Sequence, residues 1–339
     1  MTETDNSTLV RCANPDCRIA EGGRCVEGLE LDECPYYGRT AEESPAEGAE
    51  SSAEQEEYIP LLPANLLRGP DAAKFLRAGD ARVVAIIGPS DTGKTSLIAG
   101  LYDLFQLAPV KTVNFAGSET LHAFEQACHD ARAASRRNTP HMQRTPRGDV
   151  RFYHLDLVFA DRRLSLLLGD RAGEEYREAA DDVSVAEGFP EIRRADCLTV
   201  LVDGERLLDN GGRHNLKSDI AMMLLAMRDA EVFPKGSNLA VVLTKFDLIA
   251  ASDKRVRVEK DFQSIVSDIR AAFDELAGQT ADFLVAAAPK DGSIQRGDGI
   301  DDLLMFWLEP PNWPVTIATP TLSSLRAFAR LRPIEEPVE

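Results

Sequence analysis

The chain has 339 residues, of which 44% are hydrophobic, and a formal charge of −18 at pH 7. A chain of this length and composition has room for one large domain or two ordinary ones with a hydrophobic core. The acidic balance disfavours nucleic acid as a partner because phosphate backbones are also negative, and no apolar run approaches the roughly 18 residues of a membrane span. The N-terminus has no basic stretch followed by an apolar one, so we expect a cytoplasmic protein without a signal peptide.

Four cysteines are concentrated near the N-terminus, within residues 1–38, at the spacing C-x4-C-x7-C-x8-C. Four thiolates in a segment too short to form its own core are typical of a structural zinc site. The spacing contains no C-x2-C pair, so an iron–sulfur cluster and independent thiols in a flexible tail remain alternatives. We predict a zinc-binding module that recruits a protein partner, and its ligands would be Cys12, Cys17, Cys25 and Cys34.

The segments on either side of the main domain are predicted from composition. Residues 39–57 hold no aromatic or β-branched aliphatic residue and are rich in Glu, Ser and Ala. Such a segment cannot bury enough apolar surface to offset its ordering entropy, so we predict an acidic disordered linker. Residues 311–339 form a Pro-rich C-terminal tail. The two remaining cysteines, Cys128 and Cys197, are predicted to be core or surface thiols.

Between the linker and the tail, residues 58–310 alternate between strand and helix patterns. The predicted buried strands are RVVAIIG, CLTVLVDG, NLAVVLTKFD and ADFLVAAAP, and KTVNFAG is an added strand. The stretch VRFYHLDLVFADRRLSLLLGD is predicted to form two strands joined by a tight turn at ADRR. The predicted helices are DAAKFLRAGD, KTSLIAGLYDLFQL, SETLHAFEQACHDARAASRR, NLKSDIAMMLLAMRDA, RVEKDFQSIVSDIRAAFDELAG and GIDDLLMFWLE. We predict a doubly wound α/β sheet, mostly parallel with one antiparallel strand.

The stretch GPSDTGKTS, residues 88–96, lies between the first buried strand and a helix. It fits G-x-x-x-x-G-K-[ST], in which the glycines let backbone N–H groups surround a phosphate. Lys94 would neutralise the β- and γ-phosphates, and the Thr95 hydroxyl can bind Mg²⁺. The N-terminus of the following helix also favours an anion. The predicted phosphate-binding residues are Gly88, Ser90, Asp91, Thr92, Gly93, Lys94, Thr95 and Ser96.

A second motif, DRAG, ends the strand after the predicted hairpin. Asp170 can hold Mg²⁺ through water, and the Gly173 N–H can sense a γ-phosphate. The pattern D-x-x-G is weak by itself because many strands end in Asp. Its position at the end of the second strand of the predicted hairpin supports a functional role for the motif.

A third motif, TKFD, ends another buried strand. The Asp247 carboxylate can accept hydrogen bonds from both N1–H and the N2 amino group of guanine, a pair of donors that adenine lacks, so it would select guanine. Lys245 can lie along the base, and Thr244 opens the motif. A base-contacting loop is predicted at AAAPK, with Ala287 as the contact and Lys290 as a stacking residue.

The three motifs in this order, GPSDTGKT, DRAG and TKFD, with a hairpin before DRAG, resemble those of Ras-like, translation-factor-related GTPases. A narrower resemblance is to the bacterial double-GTPase families, which have counterparts of GKTSLIAGLYDLF, FAGSETLHAFE, FYHLDL and LLLGDRAGEEY. The resemblance covers residues 60–310. It implies GTP and GDP as ligands, Mg²⁺ as cofactor, and a role beside GTPase-like or effector proteins in bacterial conflict or defence systems.

The chain departs from the Ras-like pattern at two positions. Thr244 replaces the usual Asn of the guanine motif, and Glu174 replaces the Gln that orients the attacking water. The protein is therefore either slow at hydrolysis, dependent on a group from a partner, or able to use Glu174 as a base. Arg171 either contacts the γ-phosphate or pairs with a neighbouring carboxylate, and we favour the carboxylate.

Ras-like proteins also use a threonine ahead of the hairpin, and two residues are candidates. Of Thr139 and Thr145, we favour Thr145 because it is nearer the strand. The surrounding basic residues either order over the γ-phosphate, dock a partner, or form a solvated loop. They are Arg136, Arg137, Arg144 and Arg147, and His141 between them is predicted to be a surface residue.

These patterns predict a molecular switch that binds GTP and hydrolyses it. The residues expected to act in hydrolysis are Lys94, Thr145, Gly173 and Glu174. Two other functions stay open: a GTP-binding adaptor with negligible hydrolysis, and a P-loop ATPase, for which Asp247 would not affect nucleotide affinity.

Overall fold

The computed structural model describes Tyr37 and residues 65–136, 145, 147–289 and 294–313, without the side chains of 132–136. The chain divides into two compact units, residues 1–60 and 61–339. The four N-terminal cysteines and the linker lie outside the described residues, as does the tail from residue 314. The predictions of a zinc module, a disordered linker and a separate tail therefore stay predictions.

The described residues form one sheet of seven strands in the order β2-β3-β4-β1-β5-β6-β7. The strand β3 is antiparallel to both of its neighbours, and the remaining pairs are parallel. This confirms the predicted α/β fold with one antiparallel strand. The strands are β1 (Ala81–Ile87), β2 (Asn114–Gly117), β3 (Arg151–Phe159), β4 (Arg162–Asp170), β5 (Cys197–Asp203), β6 (Asn238–Thr244) and β7 (Thr280–Leu284).

Helices connect the strands and cover both faces of the sheet. In chain order they are α1 (Gly69–Ala78), α2 (Lys94–Leu107), α3 (Leu121–Arg136), α4 (Gly173–Asp181), α5 (Val183–Ala186), α6 (Pro190–Arg193), α7 (Gly204–Leu208), α8 (Gly212–Asp229), α9 (Phe246–Ala250), α10 (Arg255–Phe273) and α11 (Ile300–Leu308). The short helices α4 to α7 and α9 were not predicted, because segments of four to nine residues show too little periodicity.

Several element boundaries differ from the prediction, and two of them have a local explanation. The helix predicted from Ser118 begins at Leu121, because the Ser118 hydroxyl accepts the Thr120 N–H at 2.9 Å and holds the preceding residues in a turn. The last strand ends at Leu284 rather than continuing through the alanines. The following residues instead form a loop that is bridged to the chain ahead of α11 through Ala286 and Asp298.

The hairpin β3–β4 turns through Ala160 and Asp161, which have φ angles of 49° and 59°. Two consecutive left-handed residues are typical of the tight turn that matches strand twist. The resulting register pairs Arg151 at the start of β3 with Asp170 at the end of β4. The chain that enters β3 is therefore brought beside the DRAG motif.

The hydrophobic core has two layers, one on each face of the sheet. The helices α2, α3 and α11 pack on one face, and α4, α8 and α10 pack on the other. Every residue of β5 and β6 is buried, which explains why these strands read as continuous apolar runs. The free thiols of Cys128 and Cys197 are both buried, so the core placement among the two predicted alternatives is the one found.

Candidate functional site

The three motifs meet at one edge of the sheet, where the parallel strands β1, β4, β5 and β6 end. This is the carboxyl edge, at which open α/β sheets bind their ligands. The phosphate-binding loop follows β1, the DRAG motif ends β4, and the TKFD motif ends β6. The sheet thus assembles residues that are up to 159 positions apart in the chain, from Gly88 to Asp247.

The loop after β1 has the backbone that its glycine pattern predicts. Asp91 and Gly93 have φ angles of 65° and 93°, and this left-handed geometry turns the chain into the start of α2. A Cβ on Gly88 would lie 2.8 Å from the Thr92 hydroxyl, which itself donates to the Pro89 carbonyl at 2.8 Å. Gly88 is therefore required by close packing inside the loop.

Lys94 is the buried cation of the loop and is 7% exposed. Its Nζ donates to the carbonyls of Gly88 at 2.9 Å and Pro89 at 3.1 Å. Burial lowers the pKa of Lys94, and the nearby carboxylates of Asp170, Glu174 and Asp91 oppose this effect. Glu174, in the first turn of α4, is thus close enough to favour the charged lysine.

Asp170 is the point where separate segments meet. Its Oδ2 accepts hydrogen bonds from the Thr145 hydroxyl at 3.2 Å and the Thr95 hydroxyl at 3.4 Å. The side chain is 2% exposed, and Oδ1 has no hydrogen-bond partner. Burial raises the pKa of Asp170, while Lys94 and the two hydroxyls act in the opposite direction. A buried carboxylate with an unsatisfied oxygen beside two hydroxyls is a donor set that suits Mg²⁺.

Gly173 packs directly on the phosphate-binding loop. A Cβ at this position would lie 2.5 Å from the carbonyl carbon of Pro89 and closer still to the amide nitrogen of Ser90. Only glycine allows this approach, since real Cβ atoms do not make such contacts. The DRAG motif and the loop therefore share a backbone interface.

The TKFD motif is tied to the same loop through Thr244. Its hydroxyl lies 2.9 Å from the Thr92 carbonyl and 3.3 Å from the Val202 carbonyl. A threonine thus supplies a donor to the loop backbone at the position where the Ras-like pattern has Asn. Asp247 lies in the first turn of α9 and is 5% exposed.

Lys245 has two acidic partners that the sequence analysis missed. Its Nζ lies 3.0 Å from Asp203 Oδ2 and 2.9 Å from Glu205 Oε2. Burial lowers the pKa of Lys245, but attraction to Asp203 and hydrogen bonding to both carboxylates outweigh burial and raise it. The acidic VDGE stretch lies at the end of a buried strand parallel to the TKFD strand, and it could have indicated these two partners.

The predicted base-contacting loop lies beside the TKFD motif. The Phe246 N–H donates to the Val285 carbonyl at 3.1 Å, which joins the two segments. Ala287 follows and is half-buried. Lys290 lies outside the described residues.

Arg171 pairs with carboxylates, as favoured from the sequence. It donates to both oxygens of Glu191, at 2.6 and 3.2 Å, and to Glu175 at 3.1 Å. Of the other basic residues, Arg147 forms an ion pair with Glu178 of α4. Thr139, Arg137, His141 and Arg144, and the side chain of Arg136, lie outside the described residues.

A cavity of about 870 Å³ adjoins the three oxygen donors. It is bounded by α1, α3 and β3, and its lining includes Thr95, Thr145 and Asp170 but neither Lys94 nor Asp247. The cavity therefore lies beside the residues that are candidates for binding Mg²⁺.

Across the part of the chain that is described, no group of three or more His, Cys, Asp or Glu residues could hold a metal ion. The four N-terminal cysteines are outside that part, so the zinc site stays a prediction.

Comparison with known proteins agrees with this geometry. No curated protein matches the chain. Within the described residues, no helix is long and apolar enough to span a membrane. The model of the Double-GTPase 2 family matches residues 82–308, which is more than half of the chain and contains all three motifs. The chain therefore belongs to the Double-GTPase 2 family of P-loop GTPases.

Proposed function

We propose that this protein is a GTP-dependent switch that hydrolyses GTP to GDP and phosphate and signals to a protein partner. The main support for the proposal is that two segments of the chain contact each other through Asp170. Its carboxylate contacts a hydroxyl of the phosphate-binding helix, Thr95, and a hydroxyl of the chain ahead of β3, Thr145. A γ-phosphate bound here would touch segments that belong to different parts of the chain, which is the requirement for a switch.

The phosphate end of the site has defined roles. Lys94 and the backbone N–H groups of residues 88–96 would bind the phosphates. Thr95 and Asp170, with Thr145 beside them, would hold Mg²⁺, because they form a partly buried oxygen donor set with one unsatisfied carboxylate oxygen. The metal would neutralise the negative charge of the phosphates.

The base end selects guanine in this proposal. Asp247 would accept from both guanine donors, and adenine does not present an equivalent pair of donors. Lys245 is held by Asp203 and Glu205, which limits its conformations before the base arrives. Thr244 holds this end to the loop at Thr92.

Hydrolysis requires a water to attack the γ-phosphorus while the bond to the β–γ bridging oxygen breaks. Glu174 follows Gly173 and lies near Lys94, and in this proposal its carboxylate would orient this water or accept its proton. The water's proton would pass to Glu174 or to the departing phosphate.

A second candidate is a GTP-binding adaptor with negligible hydrolysis. The engagement of Arg171 by Glu191 and Glu175 favours it, because this arginine is held away from a phosphate-stabilising role. Single-turnover phosphate release, measured with and without a binding partner, separates the two functions. A rate indistinguishable from that of buffer in both conditions would establish the adaptor.

The nucleotide assignment is tested by titrating the full chain with GDP, GTP, ATP and XTP in the presence of Mg²⁺. We expect wild type to prefer guanine nucleotides. Asp247→Asn should lose that preference and gain affinity for XTP, because an amide can donate to the carbonyl that xanthine carries in place of the guanine amino group. Tight ATP binding that is unchanged in Asp247→Asn would instead support an ATPase.

The biological setting is the finer part of the proposal. The resemblance to bacterial double-GTPase families supports a role in a conflict or defence system, and the N-terminal cysteine module would recruit the partner. In the native host, deletion of the gene should reduce survival on phage challenge, and the Lys94→Ala variant should fail to restore it. Equal restoration by Lys94→Ala would contradict a nucleotide-dependent role.

A further inference from the structure

Arg171 follows Asp170 directly and is 5% exposed. Its Nε and one terminal nitrogen donate to the two carboxylate oxygens of Glu191 at 2.6 and 3.2 Å. Bidentate pairing fixes both the position and the plane of the guanidinium group. The ring of Phe189 lies 4.6 Å from the guanidinium carbon and covers one face of it. The arginine is therefore held in a single orientation.

Glu191 is a fixed anchor for this arginine. It lies on α6, is 1% exposed, and is 3.5 Å from the Tyr176 hydroxyl. The same hydroxyl lies 3.4 Å from the Ile86 carbonyl of β1. The anchor is thus packed against the strand that precedes the phosphate-binding loop, in the core of the sheet.

The remaining terminal nitrogen of Arg171 reaches the chain ahead of β3. It donates to the Gly148 carbonyl at 2.9 Å. Gly148 N–H in turn donates to Glu175 Oε1 at 3.4 Å, and Glu175 accepts from Arg171 at 3.1 Å. Both polar groups of Gly148 are therefore bound by residues two positions before and two positions after Gly173. Gly148 lies three positions after Thr145, whose hydroxyl contacts Asp170.

We propose that Arg171 is a positioning residue that couples Thr145 to Gly173, with Glu191 as its anchor. The proposal rests on the switch function proposed above. Because Glu191 fixes Arg171, the Gly148 contact keeps the chain that carries Thr145 beside the turn that carries Gly173. The two contacts with the γ-phosphate site then form together instead of separately.

Arg171→Lys tests the coupling. A lysine keeps the charge opposite Glu191, but its single ammonium cannot span both Glu191 oxygens and the Gly148 carbonyl. Dissociation constants for GDP and for a non-hydrolysable GTP analogue are measured with Mg²⁺ on the full chain. We expect GDP affinity within about twofold of wild type and analogue affinity lower by about tenfold, a coupling of ordinary size. The control is Arg228→Met, an exposed arginine beside Asp229 on α8, which should change neither constant.

A double-mutant cycle with Thr145→Ala identifies what Arg171 positions. If the coupling holds, Thr145→Ala weakens the analogue in wild type and has little further effect in Arg171→Lys. Additive effects of the two changes would overturn the proposal, as would equal weakening of GDP and analogue by Arg171→Lys.

A further variant guards against misfolding. If Arg171→Lys does not fold, the pair Arg171→Met with Glu191→Leu replaces it, because exchanging both partners of a buried ion pair for apolar residues is often neutral for stability. The same loss of analogue affinity is expected, and wild-type affinity in this pair would overturn the proposal. A wild type that does not distinguish GTP from GDP would overturn the switch function itself, and the coupling with it.

Discussion

The two ends of the nucleotide site are held together in different ways. At the base end, Lys245 forms close ion pairs with Asp203 and Glu205, at 3.0 and 2.9 Å. These residues come from the ends of the central strands β5 and β6 and the helices that follow them. At the phosphate end, Asp170 receives longer hydrogen bonds from Thr145 and Thr95, at 3.2 and 3.4 Å.

Under the proposed function, this difference would separate recognition of the base from the response to the γ-phosphate. The base end is arranged at the ends of the buried strands β5 and β6, so we expect it to select a nucleotide without large movement. At the phosphate end, the segment that carries Thr145 reaches Asp170 and Arg171 through their side chains, and Gly173 lies in close contact with Ser90. Changes at the phosphate end should therefore alter the difference between GTP and GDP, and changes at the base end should affect both nucleotides equally.

The largest expected effect is that of Lys94→Ala. We expect triphosphate affinity to fall by about thirtyfold or more, because losing one partner of a buried charge pair costs about 2–5 kcal/mol. Calorimetry with a GTP analogue measures the change, and the exposed Lys235→Ala is the control. Unchanged affinity in Lys94→Ala would remove the phosphate-binding assignment.

Gly173→Ala should have the next largest effect. The added methyl group would overlap the loop backbone at Pro89 and Ser90, and such overpacking costs about 1–3 kcal/mol. We expect the affinity for a GTP analogue to fall about tenfold, and that for GDP to fall less. Gly69→Ala is the matched control, since nothing lies within 4 Å of a Cβ at that position. An equal loss for both nucleotides would mean that the phosphate end is as rigid as the base end.

Thr244→Val tests the base end with a side chain of similar shape. It removes the donor to the Thr92 carbonyl, and a buried acceptor without a partner costs about 1–3 kcal/mol of unfolding free energy. Denaturant unfolding should show this loss, and GDP and GTP affinities should fall by the same factor. Thr280→Val, at the start of β7, serves as the control. A selective loss of GTP would contradict the proposed division of the site.

The smallest effect on nucleotide binding is expected from loss of the zinc ion predicted at the N-terminus. Purified protein should contain about one zinc ion per chain, and Cys17→Ser should release it. Affinities for GDP and GTP should stay unchanged, since the family match begins at residue 82. A preparation without zinc would contradict the module, and a change in nucleotide affinity would show that the two ends of the site do not contain all the determinants of binding.

Much of the site was predictable because its signals are local. The phosphate-binding loop needs glycines and a lysine at fixed spacing between a strand and a helix, and Gly88, Gly93 and Lys94 satisfy that requirement within seven residues. The central strands are buried on both faces, so they appear as apolar runs whose polar ends mark the site. Asp170 ends β4, and Asp247 follows β6 by three positions.

The sequence by itself determined the fold class, the order of the motifs and the residues that make up each one, because periodicity and backbone requirements act over a few positions. Only the tertiary structure decided the partners. Lys245 and Asp203 are 42 positions apart, and Thr244 and Thr92 are 152 apart. Arg171 has several acidic residues near it in the sequence, and in the fold it pairs with Glu175 and with Glu191, which is 20 positions away. Such contacts join residues that are far apart in the chain, so they depend on how strands and helices pack. A local sequence pattern does not determine that packing.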